Sequence, residues 1–152
     1  MGNLLTNRLH IDLPMETKFF WPVRVYYEDT DAGGVVYYAN YLKFFERART
    51  ERLRQIGFEQ DELRKSSGVL FAVKSVQVNY LKPARFNDTL LVSAEVAELR
   101  RASLIFAQEI RLGDPAGDKL CEATIHIACV TDGGFRSAAI PGFLVERIKD
   151  AI

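Results

Sequence analysis

Val23, Val25 and Tyr27 alternate with Arg24 and Tyr26. That period of two predicts a first strand over residues 22–27, with the three apolar positions on one face. Residues 28–36 lose the alternation and read as a loop, in which Gly33-Gly34 permits backbone geometry closed to other residues. The period then changes. Tyr41, Leu42, Phe45, Ala48, Leu53 and Ile56 recur at helical spacing and predict a helix over 38–56, stopped by Gly57. Residues 60–65 suit one or two further turns, broken by Ser66-Ser67-Gly68. Alternation returns in the second half. Phe71, Val73, Val76, Val78 and Tyr80 follow it with one phase slip near Lys74, which predicts a bulge. Residues 81–88, with Pro83 and Asn87-Asp88, form a turn. Residues 89–99, 103–112 and 119–130 make three more strands, and Asp114-Pro115-Ala116-Gly117-Asp118 is a hairpin loop. Pro141 opens a short amphipathic helix bearing Phe143, Leu144, Ile148 and Ile152.

One strand, one long helix, then consecutive strands joined by turns predict an α+β domain with an antiparallel meander. The apolar stripe of the helix needs a sheet to cover it. A strongly curved sheet wrapped around the helix meets both demands.

Bulk properties narrow the reading. The chain has 152 residues, enough for one domain with a real core. Its 48% apolar and 26% charged content is that of an ordinary globular protein. Formal net charge is zero, so no global field attracts nucleic acid or an anionic membrane, and an anionic ligand needs a local basic cluster. Cys121 and Cys129 share one predicted strand, too far apart for a disulfide, and read as small apolar residues in a reducing compartment. Residues 1–20 lack an apolar run of signal-peptide length and are expected to be a leader ahead of a single domain at 21–152. No stretch is long and apolar enough to span a bilayer, so the expected compartment is the cytoplasm.

The chemistry concentrates at Glu28-Asp29-Thr30-Asp31-Ala32-Gly33-Gly34. It puts carboxylates just before a predicted helix start, where free N–H groups point outward. A carboxylate can attack an activated carbonyl or activate water, while an amide holds the oxyanion. Asp31 can equally cap its own turn. Continued alternation would place Asp29 beside Asp31, and Asn40 is suited to fixing the loop. Glu46 with Arg49, and Arg47 with Glu51, have the spacing of surface ion pairs. Other sites fail. An EF-hand loop starting at Asp29 would place Asn40 where Glu is needed. His10 and His126 lack a nucleophile elbow or a metal-ligand cluster, and the Gly pair lacks the Lys-Ser/Thr of a P-loop. No metal and no cofactor is expected.

VYYEDTDAGGVVYYANYLKFFERARTE, residues 25–51, resembles the signature of the 4-hydroxybenzoyl-CoA thioesterase family of hotdog-fold proteins, and within it the YbgC-type, Tol–Pal-associated acyl-CoA thioesterases. VQVNYLKPARFNDTL and LRRASLIFAQEI continue the resemblance downstream. It implies a hotdog fold and hydrolysis of acyl-CoA to a carboxylic acid and CoA. It implies Asp31 as nucleophile or general base and the Tyr38 N–H as oxyanion donor. Gly33 and Gly34 would let the backbone approach the thioester, with Val35, Val36, Tyr37 and Phe44 lining the acyl site. Arg100 and Arg101 would meet the nucleotide, with Lys82 and Arg85 as weaker candidates. The implied assembly is a homodimer or homotetramer with sites at the subunit interface, and acyl carrier protein is a second possible partner. The chain departs from the YbgC pattern at Tyr38, where the family usually has His; a phenol, with a pKa near ~10, is a poor base at neutral pH. That departure keeps open a non-enzymatic alternative: an acyl-carrier, phospholipid-synthesis or Tol–Pal-associated binding protein with weak hydrolysis.

Overall fold

The computed structural model describes residues 18–152. Most of the expected leader, residues 1–17, lies outside the described residues. Strand β1 spans Phe20–Arg24. Lys18 and Phe19 already belong to the domain: Lys18 pairs with Glu109 at 2.8 Å, and Phe19 packs on the core. The remaining elements are α1 (Asn40–Ile56), α2 (Gln60–Ser67), β2 (Val69–Tyr80), β3 (Thr89–Ser93), β4 (Glu95–Leu99), β5 (Ser103–Leu112), β6 (Lys119–Thr131) and α3 (Gly142–Ala151).

The antiparallel sheet runs β1-β3-β5-β6-β2, with β4 beside β5. Only β3 to β6 form the expected meander. β2 crosses to the far edge and pairs with β6, which leaves β1 to pair with β3. The helix α1 is buried against this sheet. Tyr41, Phe44, Phe45, Ala48 and Leu53 share one core with Leu90, Val92, Leu104, Phe106, Ile110 and Ile125. This is the hotdog arrangement.

Several local expectations fail for identifiable reasons. The first strand stops at Arg24, and Tyr27 enters a 3-10 turn (Tyr27–Asp29) and is exposed. α1 starts at Asn40, two residues after the expected position, and Leu42 lies on its exposed side. α2 runs through Ser66 and Ser67 and stops only at Gly68. The expected strand over 89–99 breaks at Ala94. There Ser93 gives its backbone carbonyl to the Gln108 side chain, and its hydroxyl accepts the Glu109 N–H at 2.8 Å. Side-chain bonds replace ladder bonds at that point, so β3 and β4 meet β5 separately.

Others hold. The register between β2 and β6 shifts between Val73 and Ser75, around Lys74. Gly57 ends α1 at φ 113°. Cys121 and Cys129 are free and buried in β6. In α3, Leu144 and Ile148 are buried, whereas Phe143 and Ile152 are exposed.

Candidate active site

The Asp31 loop is a tight backbone hairpin. The Asp31 N–H donates to the Val35 carbonyl at 2.9 Å, and the Gly34 N–H donates to the Asp31 carbonyl at 3.0 Å. Asp31 does cap its own turn: its Oδ1 accepts the Gly33 N–H at 2.8 Å. This orients the exposed carboxylate and leaves Oδ2 without a protein donor among the described residues. A Cβ on Gly33 would stand 3.2 Å from Asp31 Oδ1, and Gly34 sits at φ 79°. Gly34 therefore serves the backbone angle of the turn, whereas Gly33 leaves room for the Asp31 carboxylate.

The hairpin is tied down on two sides. The Val36 N–H donates to the Ala84 carbonyl at 2.8 Å, and Val35 bridges Arg85. The Tyr37 N–H donates to the Asp29 carbonyl at 2.8 Å. Asp29 does not share a side with Asp31, because the 3-10 turn breaks the alternation. Asp29 is buried, and its carboxylate accepts from the Tyr26 N–H at 2.8 Å and from Asn40 Nδ2 at 3.0 Å. Asn40 thus fixes the loop as its position suggested.

Between this loop and α1 lies the segment Tyr38-Ala39. The Asn40 N–H closes a turn on the Tyr37 carbonyl, and the Leu42 N–H donates to the Ala39 carbonyl. Among the described residues, neither the Tyr38 nor the Ala39 N–H meets an acceptor. The Tyr38 carbonyl accepts the Tyr80 phenol at 2.9 Å. Tyr80 was not singled out from the sequence, where it reads only as an apolar position of an alternating strand.

An aromatic cluster surrounds this segment. Tyr37 and Tyr38 lie 4.9 Å apart, Tyr80 meets Tyr38 edge-on at 6.4 Å, and Tyr41 meets Tyr80 at 5.4 Å. A hydrogen bond with Tyr38 raises the Tyr37 phenol. Burial raises that of Tyr41, opposed by the Ala84 N–H it accepts, with nearby Cys121, Asp31 and Asp88 adding smaller upward pushes. Asp31 therefore lies within electrostatic reach of Tyr41 in the first turn of α1.

An apolar cleft of about 380 Å³ runs between α1 and β2, lined by Leu42, Lys43, Glu46, Arg49, Val73, Val76 and Ile125. A smaller one of about 140 Å³ adjoins it through Glu46, Arg49 and Val73. Val36 and Phe44, expected in an acyl lining, are buried in the core, while Val35 is half-buried and Tyr37 exposed. Arg49 is not a surface ion-pair residue either. It is buried, and its Nη1 donates to Gln108 Oε1 at 3.0 Å. Burial lowers its pKa to about 10. A polar hollow of about 350 Å³ lies away from Asp31, lined by Lys18, Glu95, Glu109 and Glu122 among others, and its Lys18 and Glu109 pair with each other.

Arg100 and Arg101 lie elsewhere in the same protomer. They precede Ser103, which pairs with Ala128, whereas Tyr80 pairs with Cys121 at the other end of β6. The separation along that strand is roughly 20 Å at the usual rise per residue. Arg100 holds Glu98 through two bonds of 2.8 and 3.2 Å. Lys82 pairs with Asp118 at 3.2 Å, and the Arg85 backbone is engaged by Val35 and Asp88. No cluster of acid, His or Cys side chains suited to a metal occurs among the described residues. No helix among them is long and apolar enough to cross a membrane.

Known proteins place this geometry. The acyl-CoA thioesterase YbgC of Haemophilus influenzae is 44% identical over 84% of this chain and 91% of its own. The acyl-CoA thioester hydrolase YbgC of Escherichia coli O6:H1 is 44% identical over 88% of this chain and 97% of its own. The crystal structure of a probable thioesterase from Bartonella henselae, 32% identical, superposes with a TM-score of 0.75 over 82% of this chain and 100% of that one. The family model of the thioesterase superfamily matches residues 33–118, which takes in the Gly pair, the Tyr38 segment, all of α1 and β2 to β5. With a fold, a loop and an extended sequence match in common, this chain belongs to the thioesterase superfamily.

Proposed function

We propose that the protein is an acyl-CoA thioesterase, hydrolysing the thioester to a carboxylic acid and CoA. The supporting observation is an oriented, exposed Asp31 carboxylate in the same loop as two backbone N–H groups that meet no acceptor among the described residues, in a chain 44% identical to acyl-CoA thioesterases. Asp31 acts on the carbonyl carbon in one of two ways. As general base it takes a proton from the attacking water and returns it to the departing CoA sulfur. As nucleophile it forms a mixed anhydride, expelling the thiolate, and water then cleaves the anhydride. In both, the Tyr38 N–H receives the negative charge that builds on the carbonyl oxygen. Tyr38 supplies this donor from its backbone, so the phenol that stands in place of His leaves the role intact. The cleft between α1 and β2 starts one helical turn beyond Tyr38 and takes the acyl group.

The working form is a homo-oligomer. Among the described residues β2 is an edge strand, bonded to β6 on one side, and exposes Val73 and Val76 beside the cleft. Such an edge invites a second copy. Antiparallel pairing about a two-fold axis sets the Val69 end of one β2 against the Tyr80 end of the other. That brings the partner's end bearing Arg100 and Arg101 toward the Asp31 site, where a guanidinium pair suits the phosphates of CoA. The protein works in the cytoplasm, and an acyl group on acyl carrier protein is the alternative donor.

The test is thiol release from short, long and aromatic acyl-CoAs, with wild type and Asp31→Asn compared. Turnover abolished in a folded Asp31→Asn protein is the expected result. Absence of wild-type turnover on every member would refute the acyl-CoA assignment. Light scattering of wild type should give a dimer or tetramer, and Arg100→Ala should raise KM with little change in kcat.

A further inference from the structure

Tyr80 reaches from the end of β2 to a peptide group 42 residues away, where its phenol donates to the Tyr38 carbonyl at 2.9 Å. That carbonyl is free to accept because the Leu42 N–H bonds to the Ala39 carbonyl instead, at 3.2 Å. The oxygen of Tyr38 and the N–H of Ala39 belong to one peptide unit. A donor on the oxygen draws charge across the amide and makes its N–H a stronger donor, the cooperative effect seen in hydrogen-bond chains. It also fixes the plane of that peptide, and with it the direction of the N–H. The Ala39 N–H has no protein acceptor among the described residues. It follows directly on the Tyr38 N–H at the start of α1, where the helix dipole already favours negative charge.

We propose that Tyr80 is a positioning residue of the thioester hydrolysis, holding and polarising the Tyr38–Ala39 peptide so that the Ala39 N–H joins the Tyr38 N–H as a second oxyanion donor. This rests on the thioesterase reading of the site. The ring of Tyr80 is anchored separately from its hydroxyl, by edge contacts with Tyr38 at 6.4 Å and Tyr41 at 5.4 Å. Tyr38, whose carbonyl loses its donor, is 63% exposed, so Tyr80→Phe does not strand a polar group in a buried residue.

Tyr80→Phe keeps those ring contacts and removes only the donor. Its thermal midpoint should match wild type. Its kcat should fall about tenfold, short of the ~100-fold or greater loss typical of deleting a whole oxyanion donor, with KM unchanged. The Ala39 amide ¹⁵N resonance should move upfield, since its peptide oxygen has lost a hydrogen bond. Wild-type turnover with an unaltered kcat in Tyr80→Phe overturns the role of Tyr80 and leaves the thioesterase reading standing, as does a loss confined to KM. An unmoved Ala39 resonance overturns the polarisation directly. Wild type without turnover on any acyl-CoA overturns the underlying reading, and the assignment of Tyr80 with it.

Discussion

The Asn40 carboxamide donates to the buried Asp29 carboxylate at 3.0 Å, joining the first residue of α1 to the turn that precedes the Asp31 hairpin. The other carboxylate oxygen of Asp29 accepts the Tyr26 N–H at 2.8 Å. One acid thus sets the spacing between the candidate catalytic carboxylate and the candidate oxyanion donors. Asn40→Ala leaves a buried carboxylate oxygen without its donor and should cost about 1–3 kcal/mol in chemical denaturation. It should also lower kcat, because the loop loses its tie to the helix. Unchanged stability would show that the bond contributes nothing.

Gly33 is constrained by contact, not by backbone angle. A methyl group there would press on Asp31 Oδ1 from 3.2 Å and displace the carboxylate by a few tenths of an ångström. Gly33→Ala should therefore fold normally and lose about tenfold in kcat, since misplacing a reacting group is costly. Gly34→Ala should behave differently. At φ 79° any side chain is strained, and a destabilisation of about 1–2 kcal/mol is expected. Paired melting and kinetic measurements on both variants separate the two effects.

What the sequence made legible is the part governed by local period. β5 coincides with the expected strand, Gly57 and Pro141 mark the expected helix ends, and the bulge at Lys74 appears as a phase slip. Asp31 and the Gly pair stood out because their chemistry is local as well. Long-range polar contacts were not legible. Nothing near Arg49 announces Gln108, 59 positions away, so helix spacing alone made it a surface residue. The break at Ala94 is hidden for the same reason, since the Gln108 side chain that interrupts the ladder comes from another strand. Tyr80 escaped because its ring satisfies the strand pattern while its hydroxyl acts across the fold.

The two cysteines predict an alkaline weakness. Burial, helped by the neighbouring Glu122, pushes the Cys121 thiol up from 9.0 to about 12. Above pH 9.0 the unfolded chain releases this proton while the folded chain keeps it. The folded state then binds more protons, so stability falls as pH rises, by roughly 1 kcal/mol per pH unit. Cys129, also raised by burial, acts in the same direction. Arg49, lowered by burial to about 10, opposes the trend as the pH nears 10, and the raised phenols of Tyr37, Tyr41 and Tyr80 add to it, so the share of the thiol is read by removing Cys121. Urea denaturation from pH 9.0 to about 10 should show the decline in wild type and a shallower one in Cys121→Ala. Equal slopes would exclude the thiol as its source.

The contact between Arg49 and Gln108 makes the most demanding prediction. Gln108 is buried with every polar atom engaged: its Oε1 accepts from Arg49, and its Nε2 donates to the Phe45 and Ser93 carbonyls at 3.1 and 2.9 Å. It therefore joins the helix, the break between β3 and β4, and β5. Among the described residues no carboxylate pairs with Arg49, so this neutral side chain is what satisfies a buried cation. Gln108→Leu strands the guanidinium and takes a donor from the Ser93 and Phe45 carbonyls, and should cost about 3 kcal/mol, as for a lost hydrogen bond to a charged group. Arg49→Met alone leaves Gln108 Oε1 unpaired and should cost less. In the double variant the buried charge and its acceptor disappear together, and the total should fall short of the sum by about 2 kcal/mol. Removing a buried cation along with its partner is often close to neutral, whereas removing the partner alone is not. Strictly additive losses in urea denaturation would mean that the two side chains are not coupled and that other groups connect α1 to the sheet at this point.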